Sequence, residues 1–125
     1  VVTTVGQAVE SLSTELYAAK IRGYIREARK RKNLQDFYTA GVFYQRAAKI
    51  AHKVNRSPRK YEDQALACFE MQLQQSLSTE DFSQAADALE RIAKIYERNG
   101  DTQLAAELRF QASYLRLRGI ETLIS

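Results

Sequence analysis

The side chains best able to bind or react in this chain are basic. Arg22, Arg26, Arg29, Lys30, Arg31 and Lys32 fall close together, and Arg46, Lys49, His52, Lys53 and Arg56 form a second group further on. Guanidinium forks match carboxylate and phosphate oxygens in pairs. A helix C-terminus favours nearby cations by ~0.3–1 kcal/mol each, which accounts for two or three of the first group and not for all six. Arg22, Arg26, Arg29, Lys32, Lys49, Lys53 and Arg56 are therefore the candidate partner-binding residues. Catalysis has little to draw on. His52 is the lone histidine and sits where a helix ends, and Cys68 lies among apolar neighbours with nothing to lower its pKa. One His and one Cys do not make a zinc site. The carboxylate pairs Glu62-Asp63 and Glu80-Asp81 stand at helix starts, where capping explains them, and there is no Gly-rich phosphate loop. No enzyme activity, cofactor or metal is expected.

These groups sit on a chain of 125 residues, enough for one domain spanning residues 1–125. Apolar residues make up 45% and charged residues 27%, a balance that fits a folded chain and not a disordered one. The net charge of +4 conceals a division: residues 1–60 carry 13 Lys/Arg against 4 Asp/Glu, and residues 61–125 carry 6 against 11. A basic half is joined to an acidic half. The lone Cys68 excludes an internal disulfide and suggests a reducing, cytoplasmic compartment. The opening Val1-Val2-Thr3-Thr4 has neither a basic region nor a long apolar run, so no signal peptide and no membrane span is expected. It also lacks an initiator Met, as a processed start or a domain cut from a longer polypeptide would.

Five helices must position these side chains. The first begins between Thr4 and Thr14, with Thr4–Gln7 as one capping pair, and runs to about Lys32. Its inward positions are read as Val9, Leu12, Leu16, Ala19, Tyr24 and Ala28, with Tyr17 and Ile21 flanking. Asn33, with Asp36 three residues on, reads as the cap of a second helix reaching Val54. Gly41 on its inner face implies close helix packing, since glycine costs about 1 kcal/mol there. Ser57 as cap and Pro58 at the first helical position open a third helix to about Leu77. Its inward face runs from Tyr61 through Cys68 and Phe69 to Leu77. Ser78-Thr79-Glu80-Asp81 caps the fourth. Asn99-Gly100-Asp101 joins it to a fifth, which is expected to stop at Gly119 with Ile120, Leu123 and Ile124 folding back as an apolar cap. No segment alternates with period two, so the fold class is all-α, and short connections make neighbouring helices antiparallel.

The hairpin from Ala86 to Leu117 resembles a tetratricopeptide (TPR) repeat. Leu89, Ile92-Ala93, Tyr96, Gly100-Asp101, Ala105 and Ala112 stand at that motif's positions, while Arg109 replaces its second-helix aromatic and Phe110 falls one residue late. Tyr24, Ala28, Asp36, Ala40, Tyr44 and Ala47 make a weaker copy, with Glu27 and Arg31 where Leu and Tyr belong. Phe69, Asp81, Ala85 and Leu89 make another, with Ile92 in place of an Ala. The copies at Asp36 and Asp81 are 45 residues apart, beyond the usual period of 34. They pair the first helix with the second and the third with the fourth, whereas the best copy pairs the fourth with the fifth. Both registers fit a longer-helix, TPR-like right-handed superhelix in which every helix packs on both neighbours. A three-helix MIT-type domain, whose middle helix resembles Phe37–Ile50, is the second candidate.

The TPR resemblance implies a non-enzymatic scaffold or adaptor that offers a groove to segments of other proteins. The clamp for peptide termini does not carry over, because its positions hold Ile25, Arg29, Glu90 and Lys94. What remains is the basic surface, for which an acidic peptide or protein surface is the preferred partner. A solvated charged face balanced by the acidic half, nucleic-acid binding through the Arg/Lys clusters, and head-to-tail self-association stay open beside it.

Overall fold

The computed structural model describes residues 5–124, with the side chains of residue 5 and residues 12–124. The Thr4–Gln7 capping pair and the inward place given to Val9 lie outside what is described. Five helices follow in order: α1 Val5–Asn33, α2 Phe37–Lys53, α3 Arg59–Ser78, α4 Phe82–Arg98 and α5 Thr102–Ile124. Each packs chiefly on its neighbours in the chain, α1 on α2, α2 on α3, α3 on α4 and α4 on α5, so the molecule is an antiparallel all-α stack.

The turns repeat one device. Backbone N–H groups of Asp36, Arg56, Asp81 and Asp101 donate back to the carbonyls of Arg31, Ala51, Ser76 and Tyr96 at 2.8–2.9 Å. In each case the preceding residue is left-handed: Gln35 (φ 62°), Asn55 (58°), Glu80 (58°) and Gly100 (90°). This is the αL helix stop, which returns otherwise orphaned carbonyls to hydrogen bonding. At three of the four turns the next residue is an aspartate that caps the following helix, Asp36 to the N–H of Thr39, Asp81 to Gln84 and Asp101 to Leu104. The α2 cap expected at Asn33 is instead Asp36, because α1 runs on through Asn33 before the turn. The third helix starts one residue later than expected: Pro58 holds the cap position, α3 begins at Arg59, and Arg59 donates its N–H to the Ser57 hydroxyl at 3.4 Å.

Only Gly100 suits the left-handed position without a side-chain penalty, which is ~1–2 kcal/mol for an L-residue. Glycine's greater freedom in the unfolded chain offsets part of that. Glu80→Gly therefore raises stability by about 0.5–1 kcal/mol in a urea melt, and Gln35→Gly does the same.

The core is built from small residues with a few large ones between them. Ala28, Ala40, Ala65, Ala85, Ala86, Ala93, Ala105 and Ala112 are fully buried. Phe69 fills the centre with its ring against Gly41, where a Cβ would come within 2.6 Å of Phe69 Cε1. The close approach expected at Gly41 is thus present, and the edge of Tyr38 meets the same ring at 5.7 Å.

Three further expectations are corrected. Helix α1 carries two apolar faces, and the buried one is Tyr17, Ile21, Tyr24, Ile25 and Ala28, packed with Ala47, Ile50, Ala51 and the α2–α3 core. Leu12, Leu16 and Ala19, placed inward from spacing, point to solvent. Leu77 is likewise exposed at the end of α3. Helix α5 does not stop at Gly119. Gly119 lies within the helix, where an added Cβ would meet Phe82 Cβ at 3.6 Å, and Ile120, Leu123 and Ile124 continue the helix exposed, with no fold-back.

Ion pairs tie α5 to α4. Arg116 donates to Glu90 (2.7 Å) and to Asp87 (3.0 Å), and Arg109 pairs with Glu97. The Arg116 hydrogen bond holds the Glu90 carboxyl below the usual carboxylate range, outweighing partial burial. A depressed folded-state pKa gives stability that is present above the ordinary carboxylate value and lost as pH falls through the folded one. The groups are half exposed, so the effect is small. Arg116→Met costs up to ~1 kcal/mol near pH 7, and the cost shrinks as pH falls below the ordinary carboxylate value, read from urea melts across the acid range.

Candidate partner-binding cleft

Helices α1 and α3 both pack on α2 but not extensively on each other, and the space left between them is a cleft of about 790 Å³. Alternation in the stack creates it: odd-numbered helices stand on the same side of the even-numbered helix between them. One wall is α1, with Arg22, Arg26, Arg29, Lys32 and Asn33 along its rim and Ile21 and Ile25 deeper. The other wall is the first turns of α3, with Lys60, Tyr61 and Gln64. Tyr44 of α2 is the floor. Arg22 and Lys32 are ten positions apart, or roughly 15 Å along the helix.

Four of the seven residues expected to bind a partner thus line one cleft. Lys49 and Lys53 line another, of about 410 Å³, with His52, Pro58, Arg98 and the buried Glu62. Arg56 is exposed in the turn before α3 and lines neither. The fifth cation of the first cleft, Lys60, was not among the expected residues. Its position at the start of α3 places it opposite α1 only because the stack alternates, and no motif in the chain signals that.

The cleft is electrostatically unbalanced. Among the described residues the ion pairs are Arg31–Asp36, Arg109–Glu97, Arg116–Asp87 and Arg116–Glu90, and none of them involves Arg22, Arg26, Arg29, Lys32 or Lys60. All five are exposed. Beneath them the chemistry is quiet. Burial pushes the Tyr44 hydroxyl above its ordinary value, the adjacent Cys68 adds to the rise, and Arg29 opposes it. Burial also pushes up the Cys68 thiol, and the Lys32 charge only partly counters it. A thiol 1% exposed and raised in pKa is a poor nucleophile. The cleft therefore offers cationic forks and donors around an aromatic, partly apolar floor. That set suits holding an anionic chain.

Comparison with protein-family models, with curated proteins and with solved structures gives no match for this chain. Among the described residues, no helix is long and apolar enough to cross a membrane.

Proposed function

We propose that this chain is a TPR-like protein-interaction module, a non-enzymatic scaffold whose α1–α3 cleft receives an acidic segment of another protein. The observation that carries the reading is the convergence of Arg22, Arg26, Arg29, Lys32 and Lys60 on one cleft with no ion pair among them. Like charges held close raise each other's energy, and an incoming carboxylate chain relieves that repulsion while filling space over Tyr44 and Tyr61. Supporting the TPR-like reading is the recurrence of one αL–Asp turn after α1, α3 and α4, which gives the hairpins a common geometry. The lone buried Cys68 suits a reducing compartment.

Separation of the cations into two clefts favours a short acidic segment over nucleic acid, whose backbone calls for a continuous basic track. The test is titration with a fluorescent Glu/Asp-rich peptide and, in parallel, an unrelated oligonucleotide. Wild type binds the peptide, and the quadruple variant Arg22→Glu, Arg26→Glu, Arg29→Glu, Lys32→Glu does not. Equal binding by both proteins overturns the reading. Tighter binding of the oligonucleotide, with a steep salt dependence, replaces it with the nucleic-acid reading.

A further inference from the structure

Among the described residues the outer helices each have one main neighbour, and both carry an apolar stripe on the opposite side. On α1 it is Leu12, Leu16, Ala19 and Gly23, at helical spacings of four, three and four. Leu16 is 69% exposed, and a Cβ added at Gly23 would meet nothing within 4 Å. On α5 it is Phe110, Tyr114 and Leu117, at spacings of four and three, with Phe110 76% exposed. An amphipathic helix normally spends one such stripe, on its own core. These helices have each spent one already, Tyr17–Ala28 on α2 and Ala105–Leu115 on α4.

The stripes are complementary to each other and not to themselves. In the antiparallel register that continues the stack, Phe110 of α5 falls opposite Gly23 of α1, Tyr114 opposite Ala19 and Leu117 opposite Leu16. At two of these three positions a large side chain meets a small one, as ridges meet grooves, and the third sets Leu117 beside Leu16 as an apolar pair. The fold already uses this pairing internally, where Phe69 of α3 lies on Gly41 of α2. The same register places Glu107 opposite Arg26. Pairing α5 with a second α5 would instead set Phe110 and Tyr114 against large residues and bring its glutamates together.

We propose that the α5 face of one copy docks on the α1 face of the next, so that the chain assembles head to tail through a Phe110–Gly23 contact. Such an interface is heterologous, and it propagates until a ring closes. The contact is a single helix pair, so assembly is expected at about 0.1–1 mM protein.

Sedimentation equilibrium of the full chain and three surface variants tests this. Wild type passes beyond dimer mass as concentration rises, and moderate salt shifts the curve to higher concentration. Leu16→Asp alone and Phe110→Asp alone stay monomeric, because each retains one face with nothing to receive it. Their equimolar mixture forms a 1:1 dimer and stops there. Gly23→Leu, which adds apolar surface at an open position, weakens assembly at least tenfold by filling the hole, whereas non-specific adhesion would strengthen it. A wild type that is monomeric throughout the range, a Leu16→Asp protein that still dimerises through α5, or a mixture that stays monomeric overturns the proposal. Circular dichroism confirms that each variant is folded. All three variants retain the five cleft cations, and at peptide-binding concentrations far below those of assembly, where Arg26 faces no Glu107, their acidic-peptide binding reports on the cleft alone.

Discussion

Phe69→Ala lowers the unfolding free energy by about 3–5 kcal/mol, the range for removing a fully enclosed aromatic ring. Phe69 is the largest side chain sealed in the core, and it lies between the two middle packing interfaces, touching Gly41 of α2 and Tyr38. Against a total of about 5–15 kcal/mol for a domain, this one change approaches unfolding. The partner position gives the sharper result. Gly41→Ala gains about 1 kcal/mol in helix propensity. Even so, it is expected to destabilise by a net of up to ~2 kcal/mol, because the new methyl needs space the ring occupies and overpacking costs ~1–3 kcal/mol. In a Phe69→Leu background the same methyl has room, and Gly41→Ala becomes neutral or stabilising. Urea denaturation of the four proteins measures the cycle, and additive effects would show that ring and glycine are not coupled.

Charge reversal across the cleft has the largest expected effect on binding. A single Arg29→Ala removes one partly exposed charge contact, worth ~0.5–1 kcal/mol, and weakens an acidic peptide about two- to fivefold. Reversing Arg22, Arg26, Arg29 and Lys32 together replaces four attractions with four repulsions, and affinity falls by about a hundredfold or more. The wild-type affinity itself should drop as salt shortens the screening length. Lys60→Glu is the most informative single change, because it sits on the opposite wall. A peptide lying in the cleft feels it as strongly as Arg29→Glu. A peptide held only along α1 does not.

The helices were legible because their ends are written in side-chain chemistry. Asp81 and Asp101 stand where a cap must, Asn33 reads as the cap that Asp36 supplies three residues later, and the apolar spacing between the turns is helical. The buried face of α1 was not legible, since Leu12–Leu16–Ala19 and Tyr17–Ile21–Tyr24 are equally periodic and only α2 chooses between them. The stop at Gly119 misled for a related reason. Glycine ends helices when its φ is positive, and of the described glycines only Gly100 has one, so Gly119 stays inside α5. At the cleft, the α1 cations could be read directly because they lie on one helix. Lys60, Tyr61 and Tyr44 could not, since their convergence depends on which helices the stack sets side by side.

Contacts between sequential neighbours also shape how the molecule forms. Every main helix interface closes a connection of a few residues, so little loop-closure entropy is lost before packing is gained, and folding should fall in the microsecond-to-millisecond class. Cooperativity then passes from hairpin to hairpin as in linear repeat arrays. The outer helices α1 and α5, each held on one side, open at lower free energy than the Phe69 centre. The two elements that carry the free apolar stripes are thus also the ones first to fray, and burying either stripe would steady the whole stack from its end.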